Sequence, residues 1–179
     1  MPAAWRPVTP ARGAARRPAR RVILYFLRHG AAEDRGRGSD GDRRLTRHGA
    51  ERLRSAAAVW RRLNLRPDVI LTSPLPRAAE TAAIFAEAVG VAGRVAEDAR
   101  LAPGADWGAM ARSLADRPEA KRVMFVGHEP DLSNAISLLT GASSVRMRKG
   151  GLACIEFYGI PEVGTGEVAW LLDPDLYGD

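Results

Sequence analysis

The chain has 179 residues, 46% hydrophobic and 27% charged, the composition of one soluble globular domain. One cysteine excludes an intrachain disulfide and a Cys-rich zinc site, three histidines leave little for a His-based metal centre, and no apolar run reaches the length of a transmembrane helix. The net charge of +6 lies wholly in the first 21 residues, where six arginines meet no acid; the remainder balances 21 basic against 21 acidic side chains and offers no basic groove for nucleic acid.

Residues 1–21 are rich in Ala, Arg and Pro, lack apolar periodicity and read as a disordered tail. Contact with nucleic acid or an acidic surface, and organellar targeting, are the lesser readings. The segment has no apolar core of a secretory signal, so a cytoplasmic protein is expected. The folded domain is predicted over 22–179. Val22–Leu27 is a continuous apolar run with β-branched and aromatic residues, as in a strand buried on both faces. Residues 33–44 are polar and Gly-rich, a loop. Thr46 caps a helix whose apolar positions (Leu53, Ala56, Trp60, Leu63) repeat at helical spacing until Pro67 stops it. Asp68–Thr72 is a second strand. Ser73-Pro74 leads into a helix over about 76–89, ended by Gly90. A strand near 93–97 and a helix around 105–116 follow. Arg122–Gly127 is another buried strand, then comes a helix from Asp131 to Leu139, and strands over about 151–158 and 167–172 close the chain. Alternating strands and helices predict a three-layer α/β/α sandwich with a mostly parallel sheet and an antiparallel edge.

Two buried strands each end in histidine, His29 and His128, and a third ends in Ser73-Pro74 shortly before Arg77. Ligands of open α/β sheets bind at the carboxyl ends of strands, so residues 99 positions apart can converge there. Arg28, Arg77 and the two histidines around one crevice make an anion-seeking site, because the planar guanidinium gives paired charge-assisted hydrogen bonds to phosphate. Each piece alone has a bland reading, as a strand end or a solvated helix start. Their shared edge is what points to chemistry.

The pieces Leu27-Arg28-His29-Gly30, Asp42-Arg43-x-Leu45-Thr46-x-x-Gly49, Thr72-Ser73-Pro74-x-x-Arg77-Ala78-x-x-Thr81-Ala82 and Val126-Gly127-His128 match, in order and spacing, the histidine phosphatase (phosphoglycerate mutase-like) superfamily. The chain resembles it over about residues 22–173. Leu101-x-Pro103-Gly104-x-Asp106, His128-Glu129-Pro130-Asp131 and Gly150-Gly151-Leu152-Ala153 make it most similar to the small SixA-type phosphohistidine phosphatases. The resemblance implies a phosphatase in which His29 attacks phosphorus and carries a phosphohistidine intermediate. Arg28, Arg77 and a cationic His128 would hold the nonbridging oxygens, without metal or other cofactor. It further implies a phosphorylated protein partner, such as a histidine phosphotransfer domain, or a small phosphorylated metabolite.

The leaving group separates the substrates. An alkoxide needs an acid to protonate it, whereas a protonated imidazole leaves readily. Mutase-like relatives carry a glutamate where this chain has Pro103, which favours phosphohistidine of a protein. Glu129, directly after His128, is the competing signal. It is either a helix-start carboxylate or the general acid of a small-molecule phosphomonoesterase. A noncatalytic phosphoprotein-binding module is the third reading, disfavoured by an intact His29. His48 is expected on the helix surface and Cys154 in the core. Arg146, Arg148 and Lys149 read as a solvated loop or as a rim that meets acidic substrate, and Trp107 as a pocket wall or sheet packing.

Overall fold

A computed structural model describes residues 21–34 and 39–177. Residues 1–20 lie outside the described residues, and with them nearly all of the expected tail. Strand β1 (Arg21–Arg28) begins one residue earlier than predicted, because Arg21 still pairs with Tyr158 across the sheet. Then come α1 (Arg47–Ser55), α2 (Ala57–Arg62), β2 (Val69–Thr72), α3 (Pro76–Val89), β3 (Val95–Glu97), α4 (Trp107–Ala115), β4 (Arg122–Gly127), α5 (Asp131–Thr140), β5 (Leu152–Tyr158) and β6 (Glu167–Leu172).

The six strands form one sheet in the order β3-β2-β4-β1-β5-β6. Pairs β3–β2, β2–β4 and β4–β1 are parallel, and β5 runs against both β1 and β6. The antiparallel edge expected from the late strands is present.

Both faces of β1 are buried, and its side chains alternate between two cores as a period of two requires. Tyr25 and Leu27 pack with Leu53, Trp60, Ala78, Ala82 and Phe85 of α1, α2 and α3. Leu24 and Phe26 pack with Met110, Leu132, Ile136 and Leu139 of α4 and α5. This is the three-layer sandwich. No helix among the described residues is long and apolar enough to cross a membrane.

The helix predicted over 46–63 is two helices. Thr46 caps α1 as expected, its hydroxyl accepting from the Gly49 amide at 2.9 Å, but the α-helix breaks at Ala56. Ala56 is fully buried between the two helices and carries no breaker chemistry, so the bend follows from packing rather than from local sequence. Gly90 ends α3 in the left-handed conformation glycine favours, at φ 72°.

The chain leaves β1 over one face, through α1 and α2, and leaves β4 over the other, through α5. Since β1 and β4 are neighbours, a crevice opens at their carboxyl ends, where the winding reverses.

Candidate active site

Register brings the two histidines together. Arg28 of β1 lies opposite Gly127 of β4, and the His29 amide donates to the Gly127 carbonyl at 3.1 Å. The imidazole centroids are 5.2 Å apart. Both rings are buried, as are Ser73 and Arg77.

The sequence fixes each ring. His29 Nδ1 lies 2.8 Å from the Gly30 carbonyl, an acceptor only, so Nδ1 carries the proton and Nε2 keeps its lone pair. Gly30 is held in turn by its amide, which donates to Thr81 Oγ1, while that hydroxyl donates to the Arg77 carbonyl. Thr81 thus ties the end of β1 to the helix that carries Arg77. His128 Nε2 is 2.8 Å from Ser73 Oγ, which also accepts from the Leu75 amide. In the tautomer whose Nε2 accepts from the Ser73 hydroxyl, the His128 hydrogen sits on Nδ1.

Burial pushes His29 down to about 3, with further lowering from His128, Arg77 and Arg28. Burial followed by Arg77 and Arg28 pushes His128 down to about 4. Burial thus favours the neutral ring over the cationic His128 expected from sequence, and the permanent charge at the crevice comes from the two arginines.

The arginines are anchored by main chain. Arg28 Nη1 donates to the Met147 carbonyl at 2.7 Å. Arg77 Nη1 donates to the Asp40 carbonyl at 2.7 Å and Nη2 to its carboxylate at 3.0 Å, while Arg43 holds the other carboxylate oxygen at 2.8 Å. Sequence reading missed Asp40, a lone acid in a Gly- and Arg-rich loop. Its only signal was its place three residues before the Arg43 of the motif.

Five buried side-chain polar atoms among the described residues lack a hydrogen-bond partner, and four belong here: Arg28 Nε, Arg77 Nε, His128 Nδ1 and Glu129 Oε1. An unsatisfied buried group costs about 1–3 kcal/mol, so four in one crevice call for a ligand. Two are guanidinium N–H donors, and His128 Nδ1 is a third in the tautomer whose Nε2 accepts from Ser73, a set that suits a tetrahedral oxyanion.

Glu129 is half-buried, and burial raises its pKa. It accepts from Ser133 Oγ at the start of α5, as a helix-start carboxylate would. It also faces a cavity of about 520 Å³ that adjoins the crevice through Arg28 and Gly30. Pro103 lies in an exposed turn whose Gly104 amide is held by the Asp131 carboxylate at 2.8 Å.

His48, Arg146, Arg148 and Lys149 are exposed, and all four line that cavity. Trp107 does not. It packs at the start of α4 beside Val22, at the other end of the sheet. Cys154 is buried core, its thiol pushed up to about 12 by desolvation.

A doubly covered α/β sheet, with paired histidines and arginines at its switch point, makes a site for a phosphoryl group. The sequence profile of the histidine phosphatase superfamily (branch 1) matches residues 24–111. An uncharacterized protein of Picosynechococcus is 40% identical over 137 residues, covering 72% of this chain and 81% of that protein. The chain belongs to the histidine phosphatase superfamily.

Among solved structures, the protein histidine phosphatase SixA complexed with tungstate superposes with a TM-score of 0.77 at 21% identity, over 88% of this chain and 100% of that one. The mycobacterial glucosyl-3-phosphoglycerate phosphatase superposes at 0.61 and 20% identity, over 84% and 98%. Both confirm the phosphoglycerate mutase-like fold.

Proposed function

We propose that this phosphatase works through a covalent phospho-His29 intermediate and removes phosphate from phosphohistidine of a protein, without a metal. The convergence of two unpartnered guanidinium N–H donors and the unpartnered His128 Nδ1 beside the His29 lone pair carries this reading. His29 Nε2 attacks phosphorus as the bond from phosphorus to the leaving nitrogen breaks. The leaving imidazole departs with its other nitrogen protonated. Water then displaces phosphate from His29, one proton is released, and Nε2 regains its lone pair. Arg28 and Arg77 offset the charge on the three nonbridging oxygens, and the His128 Nδ1–H completes the set of donors. Tungstate, held by the SixA structure named above, is an oxyanion of similar shape, and such a donor set would hold it.

Trapping labelled phosphate on the protein, with work-up that avoids acid, tests the nucleophile. The parent should carry acid-labile label and His29→Ala none; equal labelling of His29→Ala overturns the assignment. A panel of phosphohistidine peptides, sugar phosphates and nucleotides, ranked by kcat/KM, tests the substrate class. Phosphohistidine should rank first.

Glu129 supports a second reading, a small-molecule phosphomonoesterase. Its raised pKa and free oxygen beside the cavity suit a general acid, and its contact with Ser133 suits a helix cap equally. General acid help is worth about 10²–10⁴-fold, and more for poor leaving groups. Under this reading Glu129→Gln slows an alkyl phosphate far more than an activated aryl phosphate. Under the first reading both substrates decline together and slightly.

A further inference from the structure

The body of the chain is electrically balanced, yet its cations are not evenly spread. The cavity beside the crevice is walled by five permanently cationic side chains, Arg28, Arg52, Arg146, Arg148 and Lys149, against two carboxylates, Glu129 and Asp175. Asp175 is already engaged, whereas Glu129 gives one oxygen to Ser133 and keeps the other unpartnered. Asp175 pairs with Arg52 and Arg148, and Asp173 adds a second partner for Arg148 at 3.2 Å. Among the described residues Arg146 and Lys149 have no acid partner, and His48 stands on the opposite wall from α1.

This wall is stapled to the reacting centre. The Gly150 amide lies 3.1 Å from both the Arg28 and the His29 carbonyls, and the Arg28 amide donates to the Gly151 carbonyl at 3.0 Å. Arg28 reaches back to the Met147 carbonyl, and the Tyr177 hydroxyl closes on the Gly150 carbonyl at 2.9 Å. Lys149 and Arg146 therefore ride on a segment whose main chain is fixed against the nucleophile's own strand end. Below the charged rim lie Leu53, Met147 and Tyr177, all buried and apolar. A concavity of about 520 Å³ with an apolar floor and unmatched positive charge focuses an attractive field on an anion.

We infer that the cavity between α1 and residues 145–150 is an anion subsite. It receives a second negative group, a carboxylate or phosphate, on the part of the substrate beyond the transferred phosphoryl group. The inference rests on the proposed phosphatase reaction and adds the substrate's class, one with at least two anionic groups. Arg146 and Lys149 are its specificity-determining residues, and Arg28 is the wall shared between the two anions. The second group can belong to a small metabolite or to acidic residues flanking a phosphohistidine.

Two matched pairs of substrates test this. The first is 4-(carboxymethyl)phenyl phosphate against 4-(carbamoylmethyl)phenyl phosphate, close in leaving ability and different in charge. The second is a phosphohistidine peptide flanked by aspartates against one flanked by serines. The parent should prefer the anionic member of one or both pairs by about fivefold in kcat/KM, the scale of two partly solvated ion contacts. The preference should shrink as salt is added. In the double variant Arg146→Gln, Lys149→Gln the ratio should fall toward one. Preference in the aryl pair marks a small metabolite, and preference in the peptide pair marks an acidic protein surface. Turnover of both pairs without preference, or a preference that survives the double variant, overturns the subsite and leaves the phosphatase reading standing. No turnover of any of the four by the parent overturns both.

Discussion

His29 and His128 combine burial with two neighbouring arginines, and that combination sets a sign. Each has a folded-state pKa below its ordinary value, about 3 and about 4 against 6.5. Between those values and 6.5 the unfolded chain binds more protons than the folded one. The stability that the neutral rings confer is therefore complete above pH 6.5 and is lost on acidification through the range below it. His29→Gln removes one of these groups. Its melting temperature should fall less steeply than the parent's between pH 6.5 and 4, measured by circular dichroism. Parallel slopes would show that His29 titrates normally. The same burial keeps Nε2 unprotonated across mildly acidic pH, the state the proposed attack on phosphorus requires. At this scale the sequence was informative. The identity and order of Arg28, His29, Arg77 and His128 were legible because each sits at a strand or helix end, and the structure brings all four together. The charge state of His128 was not legible, since it depends on desolvation that no single residue announces.

One short loop and one helix meet at Arg77. The three-residue turn Asp40–Asp42 supplies its carboxylate and carbonyl, while Glu80 of α3 holds the Leu45 amide at 2.8 Å and so pins the segment that follows the turn. Gly49 seats α1 against the same region, since a Cβ there would lie 2.1 Å from the Ala31 carbonyl oxygen. Asp40 acts through Arg77, as a positioning residue. Asp40→Ala should lower kcat on the order of tenfold with a smaller change in KM, because a misaimed guanidinium loses more in the transition state than in the ground state. Asp40→Asn keeps an acceptor for Nη2 and should recover part of the loss. A change in KM alone, with kcat at the parent level, would place Asp40 in substrate binding instead. The buried strands could be read from apolar runs and most helix ends from their caps. The break at Ala56 could not, because helical periodicity continues smoothly through it.

Across the described residues, helices cover both faces of a sheet that starts at Arg21, and the apolar clusters take in Val22 and Ile23 beside it. We propose that the folded unit starts there. A chain lacking residues 1–20 is expected to keep the parent's melting temperature and turnover, checked by thermal denaturation and steady-state kinetics. A drop of several degrees would show that those residues pack on the domain. The sandwich was legible because its strands and helices alternate. The order of the strands was not, because pairing between β1 and β4 depends on contacts far apart in the chain.

That pairing has a consequence in time. The strand that ends at His29 lies in the middle of the sheet, bordered by β4 and β5, both more than half the chain away in sequence. A ribosome that has released only β1, β2 and β3 has made His29 and Arg77 but neither of the strands that flank β1. Loops this long are slow to close, and contacts between distant segments delay folding. Catalytic competence should therefore appear late and abruptly. Nascent chains stalled before β5 has emerged should take up no label from a phosphoryl donor, whereas full-length chains do, so enzymatic activity would report completion of the fold.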